Sequence, residues 1–270
     1  MALGGCPALS SCITVVGNYR QVTNFCQFTD VSYLDPGDAS EEPLSAVDAS
    51  ELRYDQFCAY DILTWHLDQT LAGANPPPLC MLIHGEGGTG KSKDIQTTTE
   101  YFSHRAARYM LTKAVYTGVA SSLIDVKTTH SIAMVSVRHD QPGVRAETRA
   151  KLQETWRDVK YLIIDEVSMI SKTFLAKLSR NIAIGKMVEG EDPSTDSFGG
   201  ISVILCGDFF QFPPVACSLS EALYFPTTTV PNRELSQAGR VIFEEFTTVV
   251  TLTEQMRVQD PVWLDFLRHL

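Results

Sequence analysis

Five short apolar runs punctuate the chain: LCMLIH (79–84), AVYTG from Ala114, YLIIDE from Tyr161, ISVILCGD from Ile201 and TTVVTL from Thr247. Each is continuous rather than alternating, as a strand buried on both faces of a parallel sheet must be. Between them lie stretches with helical spacing, at 93–108, 145–156, 171–184 and 235–246. Strand and helix in alternation predict an α/β fold, a parallel sheet with helices on both faces. Ahead of the first run, Leu52, Phe57, Ala59, Tyr60, Leu63 and Leu67 recur at helical intervals, with Ser50 available as a cap and GANPPP as a stop. Residues 1–50 lack sustained periodicity, and LDPGDASEEP reads as turn and linker. The expected organisation is a weakly structured lead-in over 1–50 and one domain over 51–270. VEGEDPSTDSFGG (188–200) reads as a polar loop, and no internal repeat is visible.

Charge modifies this picture locally. The formal net charge is −10, which argues against a nucleic-acid partner, but it is unevenly spread. Residues 1–55 hold eight acids against Arg20 and Arg53, whereas residues 91–160 hold twelve Lys and Arg against seven Asp and Glu. A phosphate backbone feels the local charge, not the total. Seven cysteines, at 6, 12, 26, 58, 80, 206 and 217, form no CxxC pair, which speaks against a disulfide framework and a zinc site. No apolar run approaches the roughly 18 residues that span a membrane. The first residues carry no basic start, so no secretory signal is expected. The expected location is the nucleus or another reducing intracellular compartment.

The candidate chemistry begins where the first apolar run ends. Gly85-Glu86-Gly87-Gly88-Thr89-Gly90-Lys91-Ser92 matches GxxxxGK followed by Ser or Thr, after a strand and before a helix. Glycines let backbone N–H groups curl around an anion, and the helix N-terminus adds its dipole. Lys91 would reach the β- and γ-phosphates of a nucleotide, and the Ser92 hydroxyl would ligate Mg²⁺. A plain glycine-rich turn would explain the glycines, but not the lysine and serine in register with a strand and a helix. Seventy-four positions after Lys91, an apolar strand delivers Asp165 and Glu166 at its C-terminal end, where ligands bind in open α/β sheets. Asp165 would hold the metal, and Glu166 would orient or deprotonate the attacking water.

Three more stretches narrow the class: ILCGDFFQFPPV (204–215), TLTEQMR (251–257) and YTGVASSLIDVKTTHS (116–131). Taken with the phosphate loop and the Asp-Glu pair, they resemble superfamily-one DNA helicases of the PIF type (petite integration frequency), in the version carried by Helitron transposons. The likeness runs from about Leu52 to Leu270. It implies a RecA-like P-loop ATPase, the first lobe of a 5′-to-3′ helicase. It also implies ATP and Mg²⁺ as cofactors, and single-stranded DNA and duplex junctions as partners. The work implied is DNA repair, recombination, telomere maintenance or transposition.

By the same resemblance, Gln56 would read the adenine edge, Gln211 would sense the γ-phosphate, and Arg257 would neutralise charge on the transferring phosphoryl group. Thr117, Gly118, Thr128 and His130 would touch the DNA backbone. Read without the resemblance, Gln56 is a surface residue of an amphipathic helix, His130 a capping or core histidine, and Phe209, Phe210 and Phe212 core residues. Helicases of this group close two lobes on nucleotide, and the expectation is that this chain carries one of them, with the second supplied elsewhere. Two rivals stand beside that reading. One is a non-motor ATP-binding module or mobile-element remnant. The other is a ring-forming ATPase, against which GDFFQFPPV speaks.

Overall fold

A computed structural model of the 270-residue chain describes residues 46–116, 127–135, 145–187, 195–215, 217–226, 234–257 and 260. Most of the acidic lead-in lies outside the described residues. The part that is described, 46–50, is already attached to the domain. Asp48 caps a 3-10 turn, Ala49–Glu51, and the Val47 N–H donates to Thr97 Oγ1 at 3.3 Å.

Six parallel strands form one sheet: β1 (Cys80–Gly85), β2 (Leu111–Val115), β3 (Lys127–Thr128), β4 (Tyr161–Asp165), β5 (Ser202–Gly207) and β6 (Thr248–Leu252). Their order is β3-β2-β4-β5-β1-β6. Among the described residues six helices accompany them: α1 (Tyr54–Leu71), α2 (Lys91–His104), α3 (Thr129–Ala133), α4 (Ala146–Trp156), α5 (Lys172–Lys186) and α6 (Glu234–Glu244). Successive strand residues point to opposite faces, and both faces are apolar. Leu82, Leu162, Ile164, Val203 and Leu205 pack with Leu152, Trp156, Leu175, Leu178 and Phe243 from α4, α5 and α6. Met81, Ile83, Ile163, Ile204 and Cys206 pack with Ala59, Leu63, Leu67 and Phe102 from α1 and α2. Each large side chain so buried stabilises the fold by about 1.5–3 kcal/mol before entropy is counted. β5, in the middle of the sheet, is buried at all six positions.

The expected elements are present with shifted ends, and each shift has a local cause. α2 starts at Lys91 rather than 93 because Gly90, at φ +85°, ends the loop in a conformation no helix continues. It stops at His104, and Ala106 at φ +54° turns the chain toward β2. β2 begins at Leu111, paired with Tyr161, because half-buried Thr112 and buried Lys113 are strand residues despite their polarity. The cap of α1 is Arg53, not Ser50: its backbone N–H donates to Gln56 Oε1 at 2.9 Å. Two-residue β3 and five-residue α3 were not foreseen, since elements this short leave no periodic signal.

Candidate nucleotide site

β1 ends at Gly85, and the loop that follows turns back into α2. Gly88 and Gly90 adopt φ +90° and +85°, where side chains with a Cβ are strained. At Gly85 the constraint is space: an added Cβ would stand 2.7 Å from Thr89 Oγ1 and 2.9 Å from the Leu252 carbonyl. The carbonyls of this loop are all engaged. Lys91 Nζ donates to Gly85 O at 2.6 Å and Glu86 O at 3.0 Å. Gln255 Nε2 donates to Gly87 O at 2.8 Å, and the Met256 N–H to Gly88 O at 2.9 Å. Gln56 Nε2 donates to Thr89 O at 3.2 Å and Gly90 O at 3.4 Å. In a trans peptide the carbonyl and the next N–H point in opposite directions. Carbonyls held on the protein therefore aim the N–H groups that follow them the other way, as an anion-binding concavity requires, except at Thr89, whose N–H is bonded to Glu86 O at 3.3 Å.

Two strand ends face this loop. β5 pairs with β1 on one side and β4 on the other, so Asp208, just past β5, and Asp165, ending β4, lie in succession on one side of the root of the loop. Their charges meet at Lys91. Burial pushes the Lys91 ammonium below its ordinary pKa, and Asp208, then Asp165, oppose that shift. Burial pushes Asp165 above the usual carboxylate range, opposed by the Glu166 N–H, which donates to Asp165 Oδ1 at 2.8 Å, and by Lys91. Glu166 stands at φ +59°, which ends β4 sharply. Asp208 is buried, and its Oδ1 accepts the Phe210 N–H at 3.0 Å. His84, beside Asp208, stacks on Phe209 at 5.7 Å between ring centroids, and burial lowers its pKa.

The remaining candidates fall into three places. Around the loop, Ser92 is the second residue of α2. Gln211 Nε2 lies 3.0 Å from where a Gly87 Cβ would stand, and Arg257 Cβ 3.0 Å from where a Gly88 Cβ would stand. The sequence TLTEQMR reads as a strand that ends by presenting Arg257, but β6 stops at Leu252, and Arg257 is exposed five residues later. Gln56 is not a surface residue either. It is 2% exposed, with its amide held between the loop carbonyls and the Arg53 N–H. At the far edge of the sheet, the Thr128 hydroxyl caps α3 by accepting the Ser131 N–H. His130 packs against Tyr116 and Phe174, with ring centroids at 5.2 and 4.5 Å. Thr117 and Gly118 lie outside the described residues. Phe209 packs against the core, but Phe210 and Phe212 are 66% and 72% exposed, against the expectation for all three.

Sequence reasoning missed Asp208 and Gln255. Asp208 had a signal, since it ends the most apolar run of the chain. Gln255 had one too, as the glutamine of the TLTEQMR stretch, but what it touches depends on where β6 lies beside β1. Among the described residues, no helix is long and apolar enough to cross a membrane, and no group of three or more His, Cys, Asp or Glu could hold a metal ion.

A family model described as PIF1-like helicase matches residues 70–262. The ATP-dependent DNA helicase RRM3 of Saccharomyces cerevisiae is 36% identical over 135 residues, covering 49% of this chain and 18% of the relative. The ATP-dependent DNA helicase PIF1 of Danio rerio is 29% identical over 214 residues, covering 75% of this chain and 30% of the relative. Among solved structures, Pif1 helicase from Candida albicans superposes with TM-score 0.57 and 25% identity, covering 81% of this chain and 43% of that one. A structure of two coordinating Pif1 helicases at forked double-stranded DNA gives TM-score 0.50 at 22% identity, covering 76% of this chain and 46% of that one. The chain thus spans less than half the length of these relatives.

Proposed function

The chain belongs to the PIF1-like helicase family, and from that premise we propose that its domain is the first RecA-like lobe of an ATP-dependent 5′-to-3′ DNA helicase, binding and hydrolysing ATP. The observation that carries this reading is the loop of residues 85–90, whose carbonyls are all held by the protein while Lys91 shares charge with Asp165 and Asp208.

The residues take these roles. The N–H groups of 86–91 and the start of α2 bind the phosphates, and Lys91 reaches the β- and γ-phosphates. Glu166 orients or deprotonates the attacking water, Gln211 senses the γ-phosphate over Gly87, and exposed Arg257 neutralises developing charge. Mg²⁺ fits the donors present: a serine hydroxyl and a carboxylate are hard oxygen ligands, and burial leaves Asp165 short of compensating positive charge. Ser92 and Asp165 would hold the ion, which when bound neutralises charge between the β- and γ-phosphates. Gln56 supports the loop, and any adenine contact it makes has to share an amide already bonded there.

Single-stranded DNA and duplex junctions are the proposed track, in keeping with the basic excess over residues 91–160. Thr117, Gly118, Thr128 and His130 are the proposed backbone contacts, and the nucleus is the proposed location. A helicase motor works by opening and closing two lobes around nucleotide, and the 270 residues span 43% of the Candida albicans chain. By themselves they are expected to bind ATP, hydrolyse it slowly and unwind nothing.

ATP turnover of the purified chain, with and without single-stranded DNA and with Lys91→Ala as control, tests the reading. DNA-stimulated turnover that vanishes in the variant supports it. Turnover indifferent to DNA points to a non-motor nucleotide module, and turnover indifferent to Lys91 rejects the site.

A further inference from the structure

The segment that leaves β6 is fastened at both ends of its path over the phosphate loop. Thr253 donates through its backbone N–H (3.1 Å) and hydroxyl (2.7 Å) to Asp55 Oδ2 at the start of α1. Glu254 pairs with Arg53 at 3.4 Å. Gln255 and Met256 then reach the carbonyls of Gly87 and Gly88. Gln255 Oε1 accepts the Arg257 N–H at 3.1 Å. One amide side chain therefore bridges the crown of the phosphate loop and the backbone of the arginine beside it. The fit is close: a Cβ on Gly88 would fall 2.1 Å from Gln255 Oε1.

We propose that Gln255 is a positioning residue that couples the phosphate loop to Arg257, so that the loop and the arginine move together when the phosphates bind. The inference rests on the nucleotide reading above and adds to it a link from the loop to the charge-neutralising residue. Its physical basis is the split of one amide between two backbones. The Nε2–H holds Gly87 on the protein side and keeps the following N–H turned toward the phosphates. The Oε1 fixes where the main chain of Arg257 begins its side chain. The opposite rim is held by Gln56 on Thr89 and Gly90, so loss of Gln255 frees the crown of the loop and not its base.

Two measurements on the full chain test this. Gln255→Met keeps the unbranched length and the contact with Gly88, and removes both hydrogen bonds. In nucleotide-free protein, amide exchange followed by mass spectrometry should quicken in residues 87–89, where the Thr89 N–H is bonded to Glu86 O at 3.3 Å, and in 256–257, and stay as in wild type in β4 and β5. In titrations with fluorescent ATP and ADP in Mg²⁺, the preference for ATP should fall about three- to tenfold. Arg257→Ala should lose the same preference, and the double variant should lose no more than either single one. Gln255→Glu, which keeps the acceptor for Arg257 and loses the donor to Gly87, should quicken exchange in the loop alone. It also serves if Gln255→Met fails to fold. Unchanged loop exchange in a folded Gln255 variant, or additive losses in the double variant, overturns the coupling. A wild-type chain that binds neither nucleotide overturns the nucleotide reading instead, and the exchange result still judges Gln255.

Discussion

The ammonium of Lys91 donates to the carbonyl of Gly85 at 2.6 Å, so the lysine that closes the phosphate loop is bonded to the glycine that opens it. A triphosphate offers that ammonium a charged acceptor, and charge-assisted bonds are roughly twice as strong as neutral ones. Lys91→Ala should therefore lower ATP turnover by about a hundredfold or more, and it should leave the melting temperature nearly unchanged, since the ammonium is only partly buried. Phosphate release and a thermal melt on the same sample check both halves.

Gly90 allows a sharper test of the loop. At φ +85°, with Gln56 Nε2 2.2 Å from where a Cβ would stand, Gly90→Ala must both strain the backbone and push Gln56 from its carbonyls. The expected cost is about 1–3 kcal/mol of stability, together with loss of nucleotide binding. Chemical denaturation and a nucleotide titration measure the two effects, and an alanine variant as stable as wild type would contradict the loop geometry.

Asp94 predicts a gain. It is 0% exposed, neither carboxylate oxygen has a hydrogen-bond partner among the described residues, and burial pushes its pKa well above the usual carboxylate range. Burying an unpaired acid costs several kcal/mol. Asp94→Ala removes the acid at a helical position and should stabilise the fold by about 1–3 kcal/mol. A denaturation midpoint below that of wild type would count against this account.

His66 sets a pH dependence remote from the site. Its Nε2–H donates to the Pro77 carbonyl at 3.0 Å, leaving Nδ1 to accept the Tyr161 hydroxyl at 2.8 Å. Burial lowers its folded pKa below the ordinary 6.5. The unfolded chain then binds the proton more readily, so stability from the neutral ring is complete above about pH 6.5 and is lost as pH falls below it. Unfolding free energies at pH 7.5 and 5.5 should differ more in wild type than in His66→Gln. Equal differences would remove His66 from the account. His84 and His130, whose pKa values burial also lowers, contribute in the same sense to both proteins.

Much of this was legible in the residues themselves. Five of the six strands among the described residues read as apolar runs, because a strand covered on both faces has no polar side to hide. The tight turn from β1 into α2 read as glycines ahead of Lys91 and Ser92, because its pattern is local to eight consecutive residues. Where a strand was interrupted by Thr112 and Lys113, or an element had only two residues, as at Lys127–Thr128, the pattern was too short or too polar to read.

What the sequence determined by itself, then, was the layering of the domain and the glycine-rich turn between β1 and α2 that is proposed to hold phosphate, since both depend on near neighbours in the chain. The tertiary structure alone decided which distant groups serve that loop. Asp94 looks like an ordinary acid in a first helical turn until packing turns it inward. Asp208 becomes a partner of Lys91 only because β5 lies beside β1. Gln56 and Gln255, 199 residues apart, become the two rims of one loop because α1 and β6 flank the same strand end. No spacing rule carries that information, because it is set by which strands pair and in what register.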